Sequence, residues 1–108
     1  MAKLQWNKEF ALEQTAGDQE LLDELLILFK DSSESDFKQL QEAAASKKVE
    51  TMTAAAHSIK GAAASLGIEG ITAVALAIEK AAKANELEGV DDQIAQLGQL
   101  LTEFSALI

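Results

Sequence analysis

The chain has 108 residues, a net charge of −9 and neither cysteine nor proline. Its length fits one domain, the missing cysteines exclude disulfides and thiolate-bound metal centres, and its acidity argues against binding to nucleic acid or to an anionic membrane surface. Apolar residues make up 48% of the chain, which is typical of a folded globular protein.

Five helices are predicted because turn-forming residues interrupt an apolar period of about 3.6 residues. They cover about residues 8–15, 19–44, 49–66, 70–84 and 92–108. Asn7 and Asp18 are the expected N-caps of the first two helices, and Asp91 or Asp92 that of the last. Gly67 is expected just after the end of the third helix. The predicted fold is all-α: an antiparallel up-down four-helix bundle with a short extra N-terminal helix.

No part of the sequence resembles a membrane or export signal. No apolar run approaches the roughly 18 residues of a membrane span, and residues 1–9 lack the apolar centre of a signal peptide. We therefore expect a soluble cytoplasmic protein, or a cytoplasmic domain of a longer one.

His57 is the only histidine, and it lies opposite the core face of its helix. At about 100° per residue, the large side chains of Met52 and Leu66 centre on the other side of the helix. Lys60 and Gly61 instead share the side of His57. From position alone, an exposed histidine without a function is as reasonable as a reactive one.

Gly61 indicates that another molecule approaches the helix beside His57. Glycine in the middle of a helix costs about 1 kcal/mol relative to alanine, and packing against a neighbouring helix is less favoured because Gly61 points away from the core. A neutral imidazole nitrogen is a competent nucleophile, and Lys60, one turn away, could offer charge to phosphoryl oxygens. The pattern favours phosphoryl transfer through His57.

The segment Ala56-His57-Ser58-Ile59-Lys60-Gly61, followed by Gly67, resembles the histidine-containing phosphotransfer (HPt) domain family. That family has the pattern His-x-x-Lys-Gly and a second glycine ten residues after the histidine, and Ile78-Glu79 stands where it has a Leu-Glu pair. The resemblance covers nearly the whole chain, so we expect one HPt domain over residues 1–108. The chain departs from the family at positions that concern packing and docking: Ala63, Ile68, Lys80, Lys83 and Asn85.

The resemblance implies a stoichiometric phosphoryl carrier in a phosphorelay, without a kinase domain of its own. His57 would be phosphorylated, Lys60 would interact with the phosphoryl group, and Gly61 would give steric access. Glu79 could accept a hydrogen bond from the imidazole and orient it, although a solvated surface glutamate fits the sequence equally well. The implied partners are an aspartate of a response-regulator receiver domain and a sensor or hybrid histidine kinase.

We expect a monomer without a cofactor or metal of its own, since its carboxylates form no recognisable metal-binding loop. Mg²⁺ is expected in the receiver partner.

Two alternatives to the phosphorelay carrier stay open. The chain could be the phospho-accepting domain of a chemotaxis-type histidine kinase, whose motif also reads Ala-His-Ser-Ile-Lys-Gly, or a helical interaction module in which His57 has no role. An end at Ile108 favours a free-standing or hybrid-kinase module only if the chain is complete.

Overall fold

The computed structural model describes residues 2–108 and contains five α-helices within them. Their bounds are α1 Lys8–Glu13, α2 Gln19–Ala45, α3 Val49–Ser65, α4 Glu69–Lys83 and α5 Val90–Leu107. Helices α2 to α5 pack as an antiparallel bundle in a molecule of 41 × 24 × 22 Å, and α1 packs against α2. The predicted fold class is confirmed. Of the predicted domain 1–108, Met1 lies outside the described residues.

The starts of α1 and α2 are capped as the sequence predicts. The side chain of Asn7 accepts a hydrogen bond from the backbone N–H of Phe10, at 3.0 Å, and the side chain of Asp18 accepts one from Leu21, at 3.1 Å. Each cap satisfies a backbone donor that the first helical turn leaves free. Helix α2 then continues without a break through its serine-rich middle.

The predicted capping of α5 by Asp91 or Asp92 is wrong. Gly89 occupies the N-cap position with a φ of +82°, in the left-handed region, and both aspartates lie in the first turn of the helix. Glycine adopts this conformation without steric cost. The two carboxylates still interact favourably with the positive end of the helix dipole.

The core lies between the four long helices, and each contributes one apolar face. The most deeply buried large side chains are Leu40, Met52, Ile59, Ile68, Ile71, Ile78, Leu97, Leu100 and Phe104. The predicted apolar register of α5 is confirmed from Ile94 to Phe104, whereas Ile108 is exposed because it follows the end of that helix.

A tight turn between α3 and α4 sets the two helices side by side. The N–H of Ile68 donates to the carbonyl oxygen of Ala63, at 3.0 Å, and the N–H of Gly67 donates to that of Ala64, at 3.2 Å. With Gly67 at a φ of +69°, this is a Schellman motif. The predicted C-terminal glycine of α3 is therefore confirmed, and α4 runs back along α3.

Residues Lys3–Asn7 form an N-terminal strap across this turn. The carbonyl oxygen of Leu4 accepts a hydrogen bond from the N–H of Gly70, at 2.8 Å, and the N–H of Asn7 donates to the carbonyl oxygen of Gly67, at 2.8 Å. A Cβ atom on Gly70 would lie 2.6 Å from the carbonyl oxygen of Leu4. Glycine is therefore required where the strap crosses the start of α4.

Trp6 anchors the strap on the bundle. Its indole N–H donates to the carbonyl oxygen of Leu66, at 3.1 Å, and its ring meets the ring of Phe104 edge to face, with the centroids 5.2 Å apart. The ammonium group of Lys8 lies 5.1 Å from the Trp6 ring centroid, within the range of a cation–π contact. The strap thus links the α3–α4 turn to the end of α5.

Candidate functional site

The side chain of His57 projects into solvent from the middle of α3. It is 65% exposed, whereas Ala56 and Ile59 on the same helix are fully buried. The orientation predicted from the helical period is confirmed. Successive residues of a helix are rotated by about 100°, and the residues on the side opposite His57 pack into the core.

One edge of the imidazole contacts Glu79 on α4. The Nδ1 atom of His57 lies 2.8 Å from Oε2 of Glu79. The glutamate side chain is only 7% exposed, so the alternative of a solvated surface residue is excluded. The turn at Gly67 produces this contact, because it runs α4 antiparallel to α3 and brings together residues that are 22 positions apart.

The other oxygen of Glu79 is held by Lys60. The Nζ atom of Lys60 lies 2.7 Å from Oε1, and the lysine side chain is 24% exposed. The hydrogen bond from Lys60 lowers the pKa of Glu79 below its ordinary value of 4.5, and the contact with His57 adds to that effect, although burial of the carboxyl opposes it. Glu79 is therefore ionised at neutral pH.

The ionised carboxylate determines which nitrogen of His57 is free to react. A carboxylate can only accept hydrogen bonds, so the Nδ1 atom that faces it carries the proton of the neutral imidazole. The lone pair is then on Nε2, at the opposite corner of the ring. We assign this tautomer from the hydrogen-bond pattern. It places a nucleophilic nitrogen on an exposed ring.

The surface beside His57 is open at Gly61. A Cβ atom there would meet no heavy atom of residues 2–108 within 4 Å, outside its own stretch of helix. Packing of a neighbouring helix against Gly61 is thereby excluded for the described chain. The structure therefore brings His57, Lys60 and Glu79 together and leaves the Gly61 side accessible.

Two contacts at the site were not predicted from the sequence. One is the ion pair between Lys60 and Glu79, since the sequence analysis related Lys60 only to the phosphoryl group. The other is a hydrogen bond of 2.7 Å from the Ser58 hydroxyl to Asp36 on α2. Both join different helices, and helical periodicity identifies the face of a residue but not its neighbour on another helix.

Residues 2–108 contain neither a cluster of potential metal ligands nor a membrane-spanning helix. No three histidine, cysteine or acidic side chains of these residues group as potential metal ligands. No helix within the same range combines the length and the apolar character needed to span a bilayer.

Comparison with known proteins covers both sequence and fold. The family model of the Hpt domain matches residues 24–107, which include all four residues of the candidate site. The fold is similar to the crystal structure of histidine-containing phosphotransfer protein B (HptB) from Pseudomonas aeruginosa PAO1, with a TM-score of 0.89 and 19% identity, over 95% of this chain and 90% of that one. None of the curated proteins matches the chain significantly.

Proposed function

Since the chain belongs to the Hpt domain family, whose members carry phosphoryl groups in phosphorelays, we propose that His57 is its phosphoryl acceptor and donor. The phosphoryl group is exchanged with an aspartate of a response-regulator receiver domain. The observation that carries the assignment is the contact of 2.8 Å between His57 Nδ1 and a buried glutamate on an otherwise exposed ring. Neither a chemotaxis-type kinase domain nor an interaction module without phosphotransfer is favoured by the comparisons.

The reaction is a nucleophilic substitution at phosphorus. The lone pair of His57 Nε2 attacks the phosphorus of the receiver's aspartyl phosphate. The N–P bond forms while the P–O bond to the aspartate breaks, and the electron pair of that bond returns to the carboxylate. The ring keeps its proton on Nδ1 and becomes a cation, which the ionised Glu79 stabilises. In the reverse step, the N–P bond breaks and a neutral imidazole leaves.

Lys60 and Gly61 have supporting roles in this proposal. Lys60 follows His57 by three residues, so its ammonium group can turn from Glu79 towards the phosphoryl oxygens within one helical turn. Gly61 leaves space for these oxygens and for the backbone of the partner. Mg²⁺ belongs to the receiver partner, where it would offset the charge of the aspartyl phosphate.

The proposal extends to the molecule as a whole. The strap and α1 lie outside the matched range but pack on α2, α3 and α5, which supports one functional domain over residues 1–108. The domain acts as a monomeric stoichiometric carrier, and a sensor or hybrid histidine kinase supplies the phosphoryl group through a receiver. We place it in the cytoplasm, where the kinase finds its ATP.

The test is phosphorylation of His57→Gln beside the unchanged protein. Each is incubated with a phosphorylated receiver domain and with phosphoramidate, a small donor that needs no docking. We expect acid-labile phosphate on the unchanged protein and none on the variant, with equal helical circular dichroism because His57 is exposed. NMR should locate the phosphate on Nε2. Acid-labile phosphate on the variant would refute the assignment, and phosphate on Nδ1 would refute the tautomer.

A further inference from the structure

A second groove, the α2–α5 groove, lies between the N-terminal strap, α1, the start of α2 and the end of α5. Its volume is about 520 Å³. Apolar side chains form most of its lining: Trp6, Leu12, Leu22, Leu26, Ile27, Leu107 and Ile108. Of these, Ile27 is 55% exposed, Leu107 57% and Ile108 45%. Large exposed apolar side chains that cluster in this way are typical of an interaction surface.

The α2–α5 groove lies apart from the candidate site. Among residues 2–108, none of its lining belongs to α3 or α4, the helices that carry His57, Lys60 and Glu79. Helix α2 contacts both α3 and α5, and the groove is on its α5 side. A molecule bound in the groove therefore leaves His57 accessible.

The charged side chains that line the groove are mainly acidic. Glu9 and Asp23 both contribute carboxylates, and neither forms an ion pair within residues 2–108. Asp23 accepts a hydrogen bond of 2.8 Å from the neutral amide of Gln19. Lys8 also lines the groove, but its ammonium group lies 5.1 Å from the Trp6 ring centroid. Two carboxylates without a cationic partner favour a ligand that brings positive charge.

These carboxylates belong to a charge asymmetry of the whole chain. Residues 1–45, which include α1 and α2, contain ten acidic side chains and four lysines. Residues 89–108, which include α5, contain three acidic side chains and no basic one. Residues 46–88, which include α3 and α4, contain five of each sign. The negative charge is therefore concentrated on the helices that form the groove, and such a field attracts a basic ligand.

We infer that the α2–α5 groove binds a partner protein through a basic amphipathic helix, in addition to the phosphotransfer partner at His57. The groove follows α2 from Gln19 to Ile27, which is about 12 Å at 1.5 Å per residue and about two turns of a bound helix. Two apolar side chains of the partner, one or two turns apart, enter the groove. Lysine or arginine side chains beside them face Glu9 and Asp23.

Two other pairings fit the charges less well. A second copy of the chain also carries −9, and facing grooves would bring the carboxylates of Glu9 and Asp23 from both copies together. Like charges opposed in an interface are unfavourable. The groove between α2 and α3, which includes Leu28 and Ala62, is also apolar, but every residue that lines it is uncharged. A basic helix would gain no ion pair from its lining.

The experiment measures binding of a fluorescent peptide of about four helical turns, with leucines on one face and lysines elsewhere, by fluorescence anisotropy. Ile27→Ala is compared with Leu28→Ala, the next residue of the same helix, which is similarly exposed but lines the groove between α2 and α3. We expect the Kd to rise about tenfold for Ile27→Ala, as for the loss of an apolar hot spot, and to change less than about twofold for Leu28→Ala.

A pair of charge reversals tests whether the attraction is local. Asp23→Lys and Glu42→Lys change the net charge equally, and Glu42 is exposed near the other end of α2, about 28 Å away at 1.5 Å per residue. At physiological salt the Debye length is about 8 Å, so charges at that distance are screened. We expect the Kd to rise about tenfold for Asp23→Lys and less than about twofold for Glu42→Lys. Added salt should weaken binding to the unchanged protein.

Four results would overturn the inference. They are no binding of the peptide to the unchanged protein, equal weakening by the two charge reversals, a larger effect of Leu28→Ala than of Ile27→Ala, and self-association that Ile27→Ala abolishes in sedimentation. The last would assign the groove to a second copy of the chain.

Phosphorylation separates this inference from the proposed function. Phosphoramidate should phosphorylate His57 equally with and without the bound peptide, because the groove and the site share no residue. A peptide that blocks phosphorylation would contradict a groove separate from the site. Failure of phosphorylation without the peptide would refute only the proposed function.

Discussion

Glu79 is the residue on which the site depends most. It is one buried carboxylate with two oxygens, and each oxygen has a different partner, His57 at 2.8 Å and Lys60 at 2.7 Å. A buried carboxylate is stable only if such partners replace its lost hydration. The arrangement therefore fixes the imidazole and positions the lysine at the same time.

Glu79→Gln should slow phosphotransfer without abolishing it. The amide oxygen of glutamine can still accept the Nδ1 hydrogen, but it cannot stabilise the cationic ring by charge. Loss of about 1.4 kcal/mol at the transition state gives a rate about tenfold lower. Single-turnover transfer from a phosphorylated receiver measures this, with Glu103→Gln as an exposed control. An unchanged rate would show that Glu79 has only a structural role.

The same substitution should change how stability depends on pH. The pKa of Glu79 is lowered in the folded state, so its ionisation stabilises the fold above the ordinary value of 4.5, and this contribution is lost as the pH falls through the folded value. Glu79→Gln lacks the contribution at every pH. Urea unfolding at about pH 7 and about pH 3 measures this difference. Between these two pH values, the free energy of unfolding should fall less for Glu79→Gln than for Glu103→Gln.

Lys60→Ala should slow transfer by roughly one to two orders of magnitude, about 1.4 kcal/mol for each tenfold, and Lys60→Arg should keep most of the activity. Because Lys60 is paired with Glu79, the alanine variant also leaves that carboxylate with one partner fewer. The effects of Lys60→Ala and Glu79→Gln should therefore not add in the double variant. Single-turnover rates of the four proteins in this cycle measure the coupling. Strict additivity would contradict a shared network.

At the scale of the elements, two glycines near the same helix should respond in opposite ways. Gly61→Ala should raise the free energy of unfolding by about 1 kcal/mol, because the site is helical and open. Gly67→Ala should lower it, because its φ is +69° and a Cβ atom would lie 2.6 Å from the carbonyl oxygen of Asn7. Urea unfolding of the two variants shows whether each free energy of unfolding rises or falls.

A bulkier side chain at Gly61 should affect function but not the fold. Gly61→Val should keep the fold but strongly slow transfer from the receiver, since the branched side chain projects beside His57 into the approach of the partner. Normal transfer by that variant would show that the open surface at Gly61 is not used.

The helices themselves could be predicted because their signals are local. Caps such as Asp18, the glycine at position 67 and the apolar period of each helix all act within a few residues. The start of α5 was predicted wrongly for a related reason. Asp91 and Asp92 are good capping residues in isolation, but the conformation of the preceding loop selects Gly89.

At the scale of the whole molecule, sequence patterns predict the helices and their exposed faces but not the contacts between one helix and another. Periodicity placed His57, Lys60 and Gly61 on the exposed side of α3, and the family resemblance added Glu79. The contacts among these residues depend on how far α4 slides along α3, which the packing of the core and the strap determine together. Local patterns carry no measure of that register.

The contact between Trp6 and Phe104 has a topological consequence. It brings both ends of the described chain to the same end of the bundle, while the α2–α3 turn lies at the opposite end. A short flexible linker could therefore join the two ends, and the chain could be reopened between Ala45 and Val49 without moving the site. Domains whose ends meet in this way tolerate circular permutation and insertion into a host protein. The phosphoryl-accepting surface, on the flank of the bundle, would stay accessible in either arrangement.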